Sequence, residues 1–152
     1  MKCLTVLTAL LLSATASPIK QRETAQAKVS SFSASTNADG DGATIEYDLD
    51  IAGVVKTHCI HTDSISGSKL PDVEPTACDN PVVRWQFRQD PSLPGSEGRY
   101  RIVVIYAPAS GPSAAGFHEW APSDFPQELL GSETETIYQV SKPKSHIRLS
   151  PE

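Results

Sequence analysis

The chain has 152 residues, with 13 Lys+Arg against 18 Asp+Glu and a net charge of −5. That balance argues against a nucleic-acid binder, which displaces counterions with cationic side chains, and equally against binding to anionic membranes. The length suits one domain that buries roughly two-thirds of its unfolded surface.

Residues 1–16 read as a secretory signal. Lys2 supplies the positive start, "CLTVLTALLL" the short apolar run, and Ala14-Thr15-Ala16 the small-x-small cleavage box. Such a run falls short of the roughly 20 apolar residues that span a bilayer. The expectation is a secreted, extracellular protein. Cleavage takes Lys2 with it and leaves twelve cationic side chains against eighteen acidic ones, a net charge of −6. Neither Asn37 nor Asn80 opens a glycosylation sequon. Residues 17–27, "SPIKQRETAQA", are polar and aperiodic and read as a flexible arm, so residues 28–152 are expected to form the single domain.

That domain reads as strands. "KVSSFSAST" and "ATIEYDLDIAG" flank the turn cluster "NADGDG" and predict a hairpin. In the second strand Ile45, Tyr47, Leu49 and Ile51 alternate with Glu46, Asp48 and Asp50, the period of a half-buried strand. A tight turn at Ala52-Gly53 leads into "VVKTHCIHT". The stretch from His61 to Asn80 is expected to be a polar, proline-containing loop. "PVVRWQFRQ" alternates again, with Val83, Trp85 and Phe87 on one side. "RYRIVVIYA" is apolar on both faces from Ile102 to Ile105 and is expected to be central. "PASGPSAAG" reads as a flexible loop and "FHEWAPSDFP" as an edge strand or ordered loop. "PQELLGSE" is the one candidate helical turn, begun by Ser123 or Asp124. "ETETIYQVS" and "SHIRLS" close the chain as two short strands.

Seven or eight short strands with Gly/Pro/Ser/Asp loops predict an all-β fold, a compact antiparallel sandwich or barrel. The expected core is Val29, Phe32, Ile45, Tyr47, Leu49, Ile51, Val83, Trp85, Phe87, Ile102, Val104 and Ile137.

With Cys3 removed in the signal, Cys59 and Cys78 remain, and an oxidising compartment makes a disulfide between them the default. Closing a loop of that size stabilises by about 3 kcal/mol on the chain-entropy model. Zinc competes for the same residues: His61 shares a strand face with Cys59 while His58 points away, so Cys59, His61 and Cys78 lack an obvious fourth ligand.

The order of these features resembles the Alternaria major allergen-like family of fungal small secreted proteins. The features are the signal, then "VSSFSAST", "TIEYDLDI" and "HCIHT", then a cysteine before "VVRWQF", and finally "YRIVVIY" and "GFHEWAPSDF". The resemblance implies a compact β-barrel or sandwich exported by a fungus, of effector or allergen type, with no shared catalytic mechanism. The family pattern has two disulfides where this chain can form one, so only Cys59 and Cys78 carry over.

Several constellations invite chemistry. Glu46, Asp48 and Asp50 form a row and not the converging cage that calcium takes, so a solvated face is expected. Glu119 as base, His146 as acid and Arg101 as phosphate clamp would make a ribonuclease-like site. No G-x-S-x-G is present. Phe117, His118 and Trp120, beside the loop 108–116, either stack on a sugar or protein or cap the core. The reading is a non-enzymatic protein without cofactor or metal. It binds a host or cell-wall protein or glycan through the 108–125 stretch. A carbohydrate-binding module and a secreted ribonuclease-like hydrolase are the alternatives.

Overall fold

The computed structural model describes residues 25–36, 41–64, 70–89, 95, 98–129, 136–142 and 145–151. The expected signal at 1–16 and most of the arm at 17–27 lie outside them, as does the side chain of Ile137.

Among the described residues ten strands form one antiparallel sheet: β1 (Ala25–Thr36), β2 (Ala43–Ile51), β3 (Val55–Asp63), β4 (Val73–Ala77), β5 (Val83–Gln89), β6 (Tyr100–Tyr106), β7 (Ala114–Trp120), β8 (Gln127–Leu129), β9 (Thr136–Lys142) and β10 (Ser145–Pro151). Eight follow the path β3-β2-β1-β10-β7-β6-β5-β4, which curls into a nearly closed barrel. β9 pairs with β1, and β8 with β9. The expected hairpin is present, with Thr36 opposite Ala43. Gly53 sits at φ +69° in the tight turn from β2 to β3, closed by the Val54 amide on the Ile51 carbonyl at 2.8 Å.

β1 serves two neighbours on one edge. Ala25–Val29 pair with β10 and Phe32–Ser35 with β9. Between them the register against β2 shifts, and Ser31 stands at φ +56°. A bulge of this kind bends a strand and re-aims the side chains beyond it. Across the pair the Ser31 side chain helps His58 hold the Asp48 carboxyl below its ordinary pKa.

The barrel closes where β3 meets β4. Cys59 and Cys78 are bridged with Cα atoms 4.3 Å apart. The Asp79 amide donates to the His58 carbonyl at 2.9 Å, and the Asn80 amide to Thr57 Oγ1 at 2.9 Å. The bridge therefore joins the two ends of the sheet.

Alternation dictates the interior. Val29, Phe32, Ile45, Tyr47, Leu49, Ile51, Val83, Trp85, Phe87, Ile102 and Val104 are all buried, as their spacing predicts, and Ile147 and Leu149 of β10 join them. One end of the barrel is an aromatic cluster. Trp120 lies 4.8 Å from Phe32 and 5.8 Å from Phe125 between ring centroids, and Tyr100 stacks on Phe125 at 4.1 Å. Rings at such separations attract beyond their area burial.

Four expectations change. β1 starts at Ala25, three residues before Lys28. The loop from His61 to Asn80 contains the end of β3 and all of β4, whose "VEPTA" puts Pro75 in an irregular register beside β5, where its missing N–H breaks no regular pairing. "FHEWAPSDFP", expected as an edge strand or ordered loop, opens inside strand β7, which lies between β6 and β10 and also takes in the last three residues of the expected loop "PASGPSAAG". "PQELLGSE" holds strand β8, while the 3₁₀ turn comes earlier, at Pro122–Asp124, where the Asp124 carboxylate accepts from the Ala121 amide at 3.0 Å.

Candidate functional site

Register places nine side chains in a grid on the outward face of β5, β6 and β7. The rows are Arg84–Ile105–Ala115, Gln86–Val103–Phe117 and Arg88–Arg101–Glu119. Their strand neighbours inside the barrel are Trp85, Phe87, Ile102 and Val104. An inward face that is apolar along β5 and β6 and closed by Trp120 on β7 holds the three strands, so the outward positions are set by the core.

Among the described residues three large apolar side chains are exposed: Val54, Ile60 and Phe117. Val54 is in a turn, and Ile60 lies opposite Glu46. Phe117 alone has apolar cross-strand company. It is 55% exposed, it faces Val103 directly, and Ile105 and Ala115 form the next row. Isolated exposed apolar residues need no explanation, but a contiguous set marks a candidate interaction surface.

Beneath Phe117 lies a buried ion pair. Arg101 donates from Nε to Glu119 Oε1 at 2.8 Å and again from Nη2 to the same oxygen. Its guanidinium carbon sits 4.7 Å from the Phe117 ring centroid. The two side chains are only 7% and 16% exposed. An ion pair this dry resists rearrangement, because separating the charges strands each one. It forms a fixed floor for the ring, reinforced by cation–π attraction.

The cationic heads stand at the margins. Arg84 is exposed and anchored by Nη2 on the Pro75 carbonyl at 2.7 Å. Arg88 on β5 and Arg148 on β10 are exposed and make no ion pair with any described residue.

Phe117, His118 and Trp120 therefore do not form one cluster. Alternation sends Phe117 outward and turns His118 and Trp120 inward. Trp120 is buried in the aromatic end of the core, and His118 is half-buried against it, ring centroids 4.8 Å apart. Burial lowers the His118 pKa, against the opposing pull of Asp124 and Glu119. A cavity of about 250 Å³ lies at the other end of β7, lined by Tyr106, Pro108, Pro112, Ala114, Leu149 and Pro151. It gives the 108–125 stretch a concave, mostly apolar surface.

The remaining constellations resolve individually. Arg101 and Glu119 are in contact, whereas His146 is exposed on β10 near Lys28, Asp50 and Lys56. Each carboxylate of the acidic row has a Lys or His side chain beside it from β3: Asp50 with Lys56 at 3.2 Å, Asp48 with His58 at 3.1 Å, and Glu46 with the same His58 at 3.8 Å. The row is a cross-strand polar ladder. Cys59 and Cys78 are bonded to each other, which removes both thiolates from the zinc reading, and no metal-binding group of three or more is found among the described residues. The face with Phe117 is not visible as a unit in the sequence because register, which only the fold supplies, puts Arg84, Val103 and Phe117 side by side.

No protein-family model and no curated protein matches the chain. Among solved structures it is similar to the crystal structure of Alternaria alternata allergen Alt a 1, with a TM-score of 0.52 and 13% identity over 90% of this chain and 95% of that one. A second crystal structure, of the Alternaria alternata major allergen Alt a 1, aligns with a TM-score of 0.49 and 13% identity over 84% of this chain and 94% of that one. The chain thus has an Alt a 1-like fold, a nearly closed β-barrel.

Proposed function

We propose that this chain is an exported, non-enzymatic recognition protein that acts by docking the outward β5–β6–β7 face on a target at a host or cell-wall surface. The observation that carries this reading is Phe117, 55% exposed amid Val103, Ile105 and Ala115 and held over a buried Arg101–Glu119 pair. A rigid aromatic over fixed charge is the composition of a binding anchor, since aromatics and arginine dominate interface energetics. Export is supported by the signal-like residues 1–16 and by the Cys59–Cys78 bridge, a bond that persists in oxidising compartments. The absence of a catalytic step is supported by Glu119 and Arg101, the strongest acid–base and phosphate-clamp candidates, which are occupied by each other.

The test is capture of extracellular host proteins and of arrayed glycans by the bridged chain and by Phe117→Ser. Because Phe117 is exposed, the variant keeps the fold, which far-UV circular dichroism verifies. Binding by the parent that Phe117→Ser loses is expected. Equal capture by both proteins, or capture by neither, overturns the reading.

A further inference from the structure

We infer that the partner of this face is a protein segment in which carboxylates alternate with apolar side chains. The inference rests on the docking reading above and adds the chemistry of the occupant. The face is apolar along its middle, at Ile105, Val103, Ala115 and Phe117, and cationic along both sides, at Arg84 and Arg88 on β5 and Arg148 on β10. The one carboxylate in the grid, Glu119, is turned onto Arg101 and is 16% exposed, so it contributes little repulsion to an incoming anion. The carbonyl of Pro75 holds the Arg84 head in place, which lowers the entropy lost when a carboxylate binds it.

The rest of the molecule sharpens the choice. The whole chain carries −5, yet this face is locally positive. An acidic partner is therefore repelled by most of the surface and attracted here, which orients its approach. A second copy docking by the same face would set arginines against arginines, as two-fold interfaces are self-complementary. A copy docking by its acidic row would offer carboxylates already engaged across the strand pair, Asp50 by Lys56 and both Asp48 and Glu46 by the His58 ring. A polyanion would leave the apolar middle unused. At strand spacing the grid covers about 10 Å by 14 Å. That is well under a standard interface, so the contact is a weak and salt-sensitive one.

The experiment pans a phage-displayed random 12-residue peptide library on the bridged chain, with heparin beads as a parallel probe. The expected winners carry at least two Asp or Glu interleaved with Val, Ile, Leu or aromatic residues. Their binding falls about tenfold in Arg84→Glu/Arg88→Glu, two exposed charge pairs being lost. It weakens from 50 to 500 mM salt and is lost in Phe117→Ser. Peptides that need Phe117 but ignore the arginines and salt overturn the acidic partner while leaving the docking face standing. Peptides indifferent to Phe117 overturn both. No enrichment, or retention on heparin alone, overturns the inference.

Discussion

Replacing Glu119 by Gln leaves Arg101 charged, 7% exposed and without its carboxylate. Removing one member of a buried pair costs about 3–5 kcal/mol, because the survivor keeps its desolvation penalty and loses its attraction. The residual exposure of Glu119 and the neighbouring Phe117 ring soften this, so the expected loss is about 2–4 kcal/mol. Arg101→Met removes the other charge and leaves a carboxylate that is nearer solvent, so its loss is smaller. The double variant Arg101→Met/Glu119→Gln leaves no buried charge and recovers most of the loss, giving a strongly non-additive cycle. Urea unfolding followed by tryptophan fluorescence measures all four proteins, since Trp85 and Trp120 are both buried. Single losses below about 1 kcal/mol that simply add would refute the fixed floor beneath Phe117 and make Glu119 available again for acid–base work.

Cys59→Ser/Cys78→Ser removes a bridge across a separation of 19 residues at the barrel seam, and the urea midpoint should report a loss of about 3 kcal/mol; an unchanged midpoint would show that the β3–β4 contacts close the barrel alone. Gly116→Ala would drive a Cβ into the Arg148 carbonyl oxygen, which is backbone, so β7 and β10 must separate; the melting temperature should fall, and an unchanged one refutes the close approach. The lowered His118 pKa means the folded state binds fewer protons than the unfolded chain, whose value is near 6.5. Stability is therefore full above 6.5 and declines as pH falls below it, and His118→Gln should flatten that slope in denaturation curves taken across mildly acidic pH. Asp48, lowered chiefly by its bond to His58, adds a separate decline only below about 3.8.

The sequence makes the inside of this barrel legible because the inside obeys period two. Ile45, Tyr47, Leu49, Val83, Trp85 and Phe87 are read correctly from alternation alone. The failures occur where the local signal is divided. "VEPTA" has too few apolar residues and a proline, yet it pairs with β5 because Val73 finds the core and Pro75 falls at an irregularity. "AAGFHEW" begins with three small residues that suggest a loop. It is a strand because Gly116 lets β10 pass close by. Tertiary contact, and not propensity, decides both.

The outside obeys a different logic. Adjacent residues of β7 have opposite fates: Trp120 and His118 serve the core, Phe117 and Glu119 the surface. A chemical motif sought along the chain, such as Phe117-His118-Glu119-Trp120, therefore combines residues that the pleat separates. The grouping with physical meaning runs across strands. Arg101 meets Glu119 across a sequence separation of 18, and Phe117 faces Val103. Once β6 is recognised as central, its outward residues must lie between two neighbours, and a buried arginine there demands a carboxylate from one of them. Of the outward residues on β5 and β7, Glu119 is the only acid, so the pair becomes derivable as soon as strand order is known. Sequence patterning lacks only that order, and with it supplied the outward residues of β5, β6 and β7 fall into one face.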